Sequence, residues 1–267
     1  MKFLLQPGGK VVGTLRVPGD KSISHRSIML GAIAEGVTDV TGFLEGEDAL
    51  STLNAFRAMG VQIEGPDAGR VRVHGVGMHG LKAPNGPLDM GNSGTSMRLL
   101  SGLIAGQSFA ATLVGDVSLS KRPMERVAKP LRLMGAKVDT QEGGRPPMVV
   151  SGQGQLKGIH YDLPMASAQV KSCLLLAGLY AEGQTSVTEP APTRDHTERM
   201  LRGFGYDVEQ RGSATVAVRG GGKLRGASIE VPADISSATF FMVAASIAPG
   251  SDVTLTHVGV NPTRVGV

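Results

Sequence analysis

Five segments of this sequence are rich in the residue types that bind small anions. They are Pro18–Arg26, Gly91–Arg98, Leu119–Arg126, Met165–Ser172 and Pro192–Arg199, and each combines Ser, Thr, Asn or Gln with Lys or Arg. Each leads into a helix-like stretch, and the free backbone N–H groups at a helix start attract negative charge. Phosphate and carboxylate groups are therefore the ligands that these segments predict.

The first two segments carry the clearest chemistry. Lys21 and Arg26 flank Ser22 after a glycine turn, which favours a phosphate or carboxylate site. His25, a lone histidine beside a cation, is more typical of a structural residue than of a general base. The segment Gly91–Arg98 lets a ligand approach the backbone but lacks the Gly-Lys-Ser/Thr ending of a nucleotide-binding P-loop. An ordinary helix cap with solvated charges is the competing interpretation of any one segment.

The other three segments repeat the pattern with different side chains. Arg122 stands just before a predicted helix, where a cation is unfavourable unless an anion is bound. Ser167 and Gln169 open an apolar helix and offer hydroxyl and amide groups to a hydroxylated ligand. Arg194 is again a cation at a helix start, with Thr193 as the predicted cap.

The elements that must position these segments recur along the chain. Small apolar runs end at Gly36, Gly106, Gly183 and Gly250, about 70 residues apart, which indicates a repeat architecture. A second helix in each of the first three repeats ends at a glycine and is followed by a strand-like alternation. The predicted unit is strand, helix, strand, helix and one or two strands. Equivalent helix starts can then converge and pool their charge.

The repeats also predict the domain organisation. Units one to three fill residues 21–85, 86–155 and 156–230, which we interpret as one complete domain, residues 21–230. A fourth unit begins near Ala227 and breaks off before its second helix, so we expect the chain to be a fragment of a longer protein. Residues 3–17 are predicted to form a hairpin that pairs with the material after residue 230, so that residues 1–20 and 231–267 form a partial second domain. Arg219–Lys223 is predicted to be a hairpin turn.

Composition narrows the function classes. The 267 residues carry a net charge of +4 and contain no Trp, three Tyr and seven Phe, which leaves few platforms for stacking nucleic acid bases. The only cysteine, Cys173, lies in an apolar helical run and is interpreted as a small buried residue, and a reducing cytoplasm is the expected compartment. We see no signal peptide, and the longest apolar runs are too short to span a bilayer. His196 and Glu198 lack a second ligand cluster, so no metal site is predicted.

Read together and in order, five motifs resemble the 5-enolpyruvylshikimate-3-phosphate synthase family. They are Gly19–Arg26, Gly91–Arg98, Lys121–Met124, Ser167–Lys171 and Thr193–Glu198. The resemblance implies an α/β fold of βαβαββ units around a pseudo-threefold axis, an inside-out α/β barrel, with the second domain incomplete here. It implies transfer of the enolpyruvyl group of phosphoenolpyruvate to the 5-hydroxyl of shikimate 3-phosphate, with release of phosphate and without metal or organic cofactor.

The resemblance also implies roles for nine residues. Lys21 is expected to contact both substrates. The expected shikimate 3-phosphate ligands are Ser22, Arg26, Ser167, Ala168, Gln169 and Arg194. Gln169 is also expected to reach phosphoenolpyruvate, which Gly94 and Arg122 contact. Glycine at position 94 implies sensitivity to glyphosate, because insensitive members of the family tend to carry Ala there.

Length is where the chain departs from the family. The family's catalytic Asp, a Glu and further Lys and Arg ligands fall beyond residue 267, so we expect little or no turnover from this chain and weak binding of shikimate 3-phosphate. Two alternatives stay open: a non-catalytic half-protein that complements a missing portion, and the UDP-N-acetylglucosamine enolpyruvyl transferase, which shares the fold but commonly uses a loop cysteine. An RNA-end-processing enzyme of related fold is disfavoured by the scarcity of aromatic residues.

Overall fold

The computed structural model describes residue 4, residues 8–152 and residues 154–266, and three four-stranded sheets dominate the described part of the chain. Its helices are α1 Lys21–Ile33, α2 Glu47–Ala58, α3 Gly94–Ala105, α4 Glu125–Leu133, α5 Ala168–Gly178, α6 His196–Gly203 and α7 Ile235–Ile247. Single 3-10 turns cover Leu119–Lys121 and Glu142–Gly144.

Most of the strands lie within the three predicted units, and the first and the last strand lie outside them. Those up to the end of the first unit are β1 Val12–Leu15, β2 Glu35–Thr41, β3 Gln62–Asp67 and β4 Arg70–Val76. The second unit has β5 Leu88–Asp89, β6 Ala110–Val114, β7 Lys137–Gln141 and β8 Arg145–Ser151. Then follow β9 Leu156–Lys157, β10 His160–Asp162, β11 Ala181–Glu182, β12 Gln184–Thr188, β13 Glu209–Arg211, β14 Thr215–Arg219, β15 Ser228–Glu230 and β16 Asp252–Leu255.

The three large sheets share one strand order, which confirms the predicted repeat. They run β15-β2-β4-β3, β5-β6-β8-β7 and β10-β12-β14-β13. In each, the first pair is parallel and the other two pairs are antiparallel. The parallel pair needs a crossover connection, which in the second and third units is the buried helix between its two strands.

The ends of the repeats are connected differently from the prediction. Strand β15 pairs in parallel with β2, so residues 228–230 complete the sheet of the first unit instead of opening a fourth. Strand β1 pairs in parallel with β16, so the described part of the predicted hairpin joins material after residue 230, as expected, and the hairpin itself stays a prediction. Residues 3 and 5–7 of that hairpin lie outside the described residues. The predicted hairpin turn after β14 is wrong, because the chain leaves β14 for another sheet.

Helices α1, α3 and α5 form the centre of the core. Beyond its first turn each is buried on nearly every side, so the polar side chains that they carry there, such as Arg26 and Lys171, are buried as well. Close approach between α3 and α5 requires glycine: a Cβ on Gly102 would lie 2.2 Å from the carbonyl oxygen of Cys173. This packing brings the N-terminal ends of these helices near one another.

A second, smaller apolar cluster lies beyond the point where the chain crosses between β15 and α7. Val17, Ala233 and Ala238 are its buried members, and they are separate from the large core. The segments that lead into α1 and α7 are hydrogen-bonded to each other. The Asp20 amide donates to the Pro232 carbonyl (2.7 Å), and the Asp234 amide donates to the Pro18 carbonyl (2.9 Å). The division into residues 21–230 and residues 1–20 with 231–267 stays a prediction, which these two clusters support.

Within the described ranges, the longest apolar helices fall short of the length needed to traverse a lipid bilayer.

Candidate functional site

The start of α1 is held by two neighbouring chain segments. Asp20 is its N-cap, with the side chain accepting a hydrogen bond from the Ile23 amide (2.9 Å). Lys21, the first helical residue, is half-exposed, and its ammonium contacts the carboxylate of Asp48 at the start of α2. No motif in the sequence indicates a role for Asp48, because only tertiary packing brings α2 against α1. Lys21 and Ser22 therefore lie at a helix start, as predicted.

Arg26 is buried and lies between three helices. Its Nε donates to Thr197 Oγ1 (2.8 Å) on α6, and its Nη2 donates to Ser172 Oγ (2.9 Å) on α5. Nη1 donates to the Ser22 carbonyl (3.0 Å), which leaves one N–H on each of Nη1 and Nη2 free for a ligand. Burial lowers the pKa of Arg26 to about 10, while the carboxylate of Glu198 opposes that shift.

The start of α3 brings two further arginines to a glycine. A Cβ built on Gly94 would lie 3.2 Å from Arg98 Nη1 and 3.4 Å from Arg122 Nη1. Arg122 also donates to Asn92 Oδ1 (2.7 Å), in the turn before the helix. Burial, followed by the charges of Arg126 and Arg122, lowers the pKa of Arg98. Two guanidinium groups that repel each other beside the start of a helix form a site suited to an anion.

The start of α5 adds an amide to the same place. Ser167 is the N-cap, so it lies at the opening of the helix as predicted, and its hydroxyl oxygen accepts from the Val170 amide (3.4 Å). Gln169 Oε1 accepts a hydrogen bond from Arg98 Nη1 (2.6 Å), and Gln169 Nε2 donates to Thr95 Oγ1 (3.0 Å). Gln169 of the third unit therefore joins the arginine pair of the second unit.

The start of α6 differs in one detail from the prediction. Asp195, not Thr193, is the N-cap residue, and the hydroxyl of Thr193 donates to Glu189 instead. Arg194 is exposed, and its charge contributes to lowering the pKa of Arg26 and His196, so it lies near the buried end of the site. The predicted cap was wrong because the first helical residue is His196, which puts Thr193 two residues before the N-cap position.

Lys171 has a structural environment that its motif did not reveal. Its side chain is 2% exposed, and its ammonium lies 2.7 Å from Glu189 and 2.7 Å from Glu198. Buried charges occur where they are paired, and this triad fastens α5 to α6 just below the anion-binding residues.

Two predicted structural residues are confirmed as buried. His25 and Cys173 are fully inaccessible to solvent. Burial lowers the pKa of His25 to about 3 and raises the pKa of the Cys173 thiol to about 12, so both are neutral near pH 7. Over the described residues, no three His, Cys, Asp or Glu side chains are grouped closely enough to hold a metal ion.

The helix starts of all three units are thus joined into one region. Arg26 links α1 to α5 and α6, Gln169 links α5 to α3, and Lys21 links α1 to α2. A model of the family EPSP synthase (3-phosphoshikimate 1-carboxyvinyltransferase) matches residues 5–267. This chain belongs to the EPSP synthase family.

Individual members of the EPSP synthase family are close in sequence and structure. The 3-phosphoshikimate 1-carboxyvinyltransferases of Methylococcus capsulatus and Alkalilimnicola ehrlichii are each 68% identical to the chain, over 265 and 267 residues. A 2.37 Å structure of EPSP synthase from Acinetobacter baumannii superimposes with a TM-score of 0.92 at 68% identity and covers 98% of the chain. The chain has the enolpyruvyl transferase fold of this EPSP synthase.

The alignments cover nearly all of this chain but only part of each EPSP synthase. The alignments take in 99–100% of this chain but 60% of the length of the two relatives, and 59% of the Acinetobacter chain. The chain therefore spans about 60% of the length of the curated relatives that it matches.

Proposed function

We propose that this chain provides one substrate-binding face of a 3-phosphoshikimate 1-carboxyvinyltransferase. The reaction transfers the enolpyruvyl group of phosphoenolpyruvate to the 5-hydroxyl of shikimate 3-phosphate and releases phosphate. The observation that carries the proposal is the meeting of Arg98, Arg122 and Gln169 at the glycine-opened start of α3, joined through α5 to buried Arg26.

Phosphoenolpyruvate fits the α3 end of this region. Arg98 and Arg122 present cationic donors beside Gly94, where the absence of a Cβ leaves room for a phosphate or carboxylate group. Gln169 supplies a neutral donor and acceptor between this place and α5. Lys21 lies at the start of α1 with its half-exposed ammonium beside Asp48, and we propose that it serves both substrates.

Shikimate 3-phosphate fits the α1, α5 and α6 end. Ser22 and Arg26 come from α1, Ser167 and Ala168 from the start of α5, and Arg194 from the segment before α6. Together they offer two guanidinium groups and two hydroxyls, which suit a phosphate and a hydroxylated ring.

Catalysis needs more than this face. Removing the hydroxyl proton and protonating the methylene carbon both require acid–base groups held close to the reacting atoms. The resemblance assigns those groups to the 40% of the relatives' length that the chain does not cover. We therefore propose that the 267-residue chain binds substrate with little or no turnover. A single buried cysteine suits a reducing cytoplasm, which we propose as the compartment.

Calorimetric titration of the 267-residue chain tests the proposal. We expect heat of binding with shikimate 3-phosphate and none with UDP-N-acetylglucosamine. Arg122→Met removes a cation of the proposed phosphoenolpyruvate site and should weaken that ligand about 10-fold or more. Arg72→Met, in an exposed pair with Asp39 outside the site, is the matched control and should leave affinity unchanged. Binding of the UDP-sugar instead, or phosphate release at the rate of a full-length relative, would overturn the assignment.

A further inference from the structure

His25 is the buried titratable group that the proposed function leaves unused, and it begins a chain of hydrogen bonds across three helices. Its Nδ1 lies 2.7 Å from Thr52 Oγ1 on α2, and Thr52 Oγ1 lies 2.7 Å from Ser96 Oγ on α3. Ser96 Oγ in turn lies 2.7 Å from Ser93 Oγ. All four residues are buried, and Ser93 is the N-cap of α3, directly before Gly94.

The direction of these hydrogen bonds follows from counting protons. Ser93 Oγ accepts from the Ser96 amide (3.1 Å) and from the Ser96 hydroxyl. The Asp48 carbonyl also lies near Ser96 Oγ, but at 3.4 Å, so the single Ser96 hydroxyl proton goes to the nearer Ser93 oxygen. Ser96 Oγ must then accept from Thr52, and Thr52 Oγ1 must accept from His25 Nδ1. The pKa of His25, lowered to about 3 by burial, leaves one ring proton, which this direction places on Nδ1.

The opposite direction is disfavoured by the other ring nitrogen. His25 Nε2 is buried and has no hydrogen-bond partner among the described residues. With the proton on Nε2, the molecule would bury an N–H without an acceptor, whereas the Nδ1–H tautomer leaves only an unfilled lone pair. Orphaned buried N–H groups are the rarer and more costly case.

The direction has a consequence at the site. With all three bonds running from His25 towards α3, the hydroxyl proton of Ser93 is not used within the chain of bonds. It belongs to the residue that precedes Gly94, where Arg98 and Arg122 meet. We propose that His25, held as the Nδ1–H tautomer, is a positioning residue that orients Ser93 so that its hydroxyl donates to the anion at the start of α3.

The proposal rests on the proposed function for its ligand, and its first test does not. Nitrogen-15 NMR of the imidazoles in the 267-residue chain reports which ring nitrogen carries the proton. We expect the His25 signals of the Nδ1–H tautomer with a coupling to a slowly exchanging hydroxyl. An Nε2–H tautomer, or a rapidly exchanging mixture, would overturn the proposal whether or not the chain binds phosphoenolpyruvate.

The second test separates positioning from stability. Thr52→Val removes the hydroxyl at nearly constant shape, and Thr52→Ser keeps it. Calorimetry with phosphoenolpyruvate should show affinity unchanged for Thr52→Ser and about 2- to 10-fold weaker for Thr52→Val. A purely structural role would lower Tm and the fraction of competent molecules but leave Kd unchanged. Equal Kd values for the two variants would overturn the positioning role of His25. A wild-type chain that binds no phosphoenolpyruvate would count against the proposed function, and the tautomer measured by NMR would then decide the proposal about His25.

Discussion

Arg26 shows how this site keeps a charge buried and usable. Two hydroxyls and one carbonyl accept hydrogen bonds from the guanidinium. The Thr197 hydroxyl also donates to Ser172 Oγ (2.7 Å), so the two hydroxyl acceptors hold each other in place. Glu198 and Asp20 supply the opposing charge without a direct ion pair. Burying an arginine without any opposing charge would lower the free energy of unfolding by several kcal/mol. Because Glu198 and Asp20 offset the charge of Arg26 without bonding to it, two of its N–H groups stay free to bind a ligand.

Gly94 is the residue where one added carbon should matter most for binding. Gly94→Ala would place its Cβ 3.2 Å from Arg98 Nη1 and would force the guanidinium to shift. We expect affinity for phosphoenolpyruvate to fall roughly 10-fold, or about 1.4 kcal/mol, by calorimetry. Gly86→Ala, whose Cβ meets nothing within 4 Å, is the control. Equal affinities for the two variants would contradict the expected crowding.

Two buried histidines should make stability depend on pH. Burial and the charge of Arg26 lower the pKa of His25 and His196 from 6.5 to about 3 in the folded chain. In the unfolded chain both imidazoles take up a proton near pH 6.5, whereas in the folded chain they do so only near pH 3. Protonation therefore favours the unfolded chain between these two pH values. The free energy of unfolding should be fully retained above about pH 6.5 and fall by up to about 1.4 kcal/mol per group and pH unit down to about pH 3.

Urea denaturation between pH 7 and pH 4 measures this effect. In the variant His25→Asn, one of the two titrating groups is gone, so its stability should fall less steeply with decreasing pH than that of the wild type. Gly86→Ala, which changes no titrating group, serves as the control and should keep the slope of the wild type. Parallel curves for wild type and His25→Asn would show that His25 protonates as readily in the folded chain.

At the scale of elements, the contact between α3 and α5 sets the geometry of the site. Both helices begin at site residues and approach most closely at Gly102, where a Cβ would lie 2.2 Å from a backbone oxygen. Gly102→Ala should force the helices apart and lower the free energy of unfolding by about 1–3 kcal/mol. It should also weaken phosphoenolpyruvate binding, because Arg98 and Gln169 would separate.

The matched control for this substitution is another helical glycine. Gly203 lies in α6, and its Cβ would meet nothing within 4 Å. Gly203→Ala should therefore raise stability by about 0.5–1 kcal/mol through helix propensity alone. Thermal and urea unfolding of both variants measure the contrast. A neutral or stabilising Gly102→Ala would show that the two helices can move without cost.

Elements governed by local sequence could be predicted, and those governed by distant partners could not. Neighbouring residues predict a glycine after the second helix of each unit and the opening of α5 near Ser167, and both are confirmed. The pairing of β15 with β2 and the contact of Lys21 with Asp48 join segments far apart in sequence, where propensity carries no signal. The Thr193 cap was wrong because α6 begins two residues later than the pattern indicates, and helix boundaries are weakly determined by local sequence.

At the scale of the molecule, Arg264 fastens the small apolar cluster to the large core. Its guanidinium donates to Asp20 Oδ2 (3.0 Å), to Asp234 Oδ1 (2.9 Å) and to Ser236 Oγ (2.6 Å), and its side chain is 6% exposed. Asp20 and Asp234 are the N-caps of α1 and α7, so one side chain joins the starts of both helices. Burial and the neighbouring Asp234 charge raise the pKa of Asp20, which Arg264 counteracts.

Removing this cation should loosen the connection between α1 and α7. Arg264→Met leaves two neighbouring carboxylates uncompensated and should cost about 3–5 kcal/mol, whereas the exposed control Arg72→Met should cost about 0.2–1 kcal/mol. Urea unfolding measures the loss, and amide hydrogen exchange should show the protection of α7 falling more than that of α3. Equal losses in the two variants would show that Arg264 is no more than a surface contact.

The pairing of β15 with β2 has a consequence for protein synthesis. The Ala227 amide reaches back to Thr38 Oγ1 across 189 residues, whereas the sheets of the second and third units contain only strands of their own unit. A nascent chain leaving the ribosome can therefore close its second and third sheets before its first. Among the three large sheets, the one whose first strand is translated earliest is completed last, and until then the edge of β2 stays open to other strands.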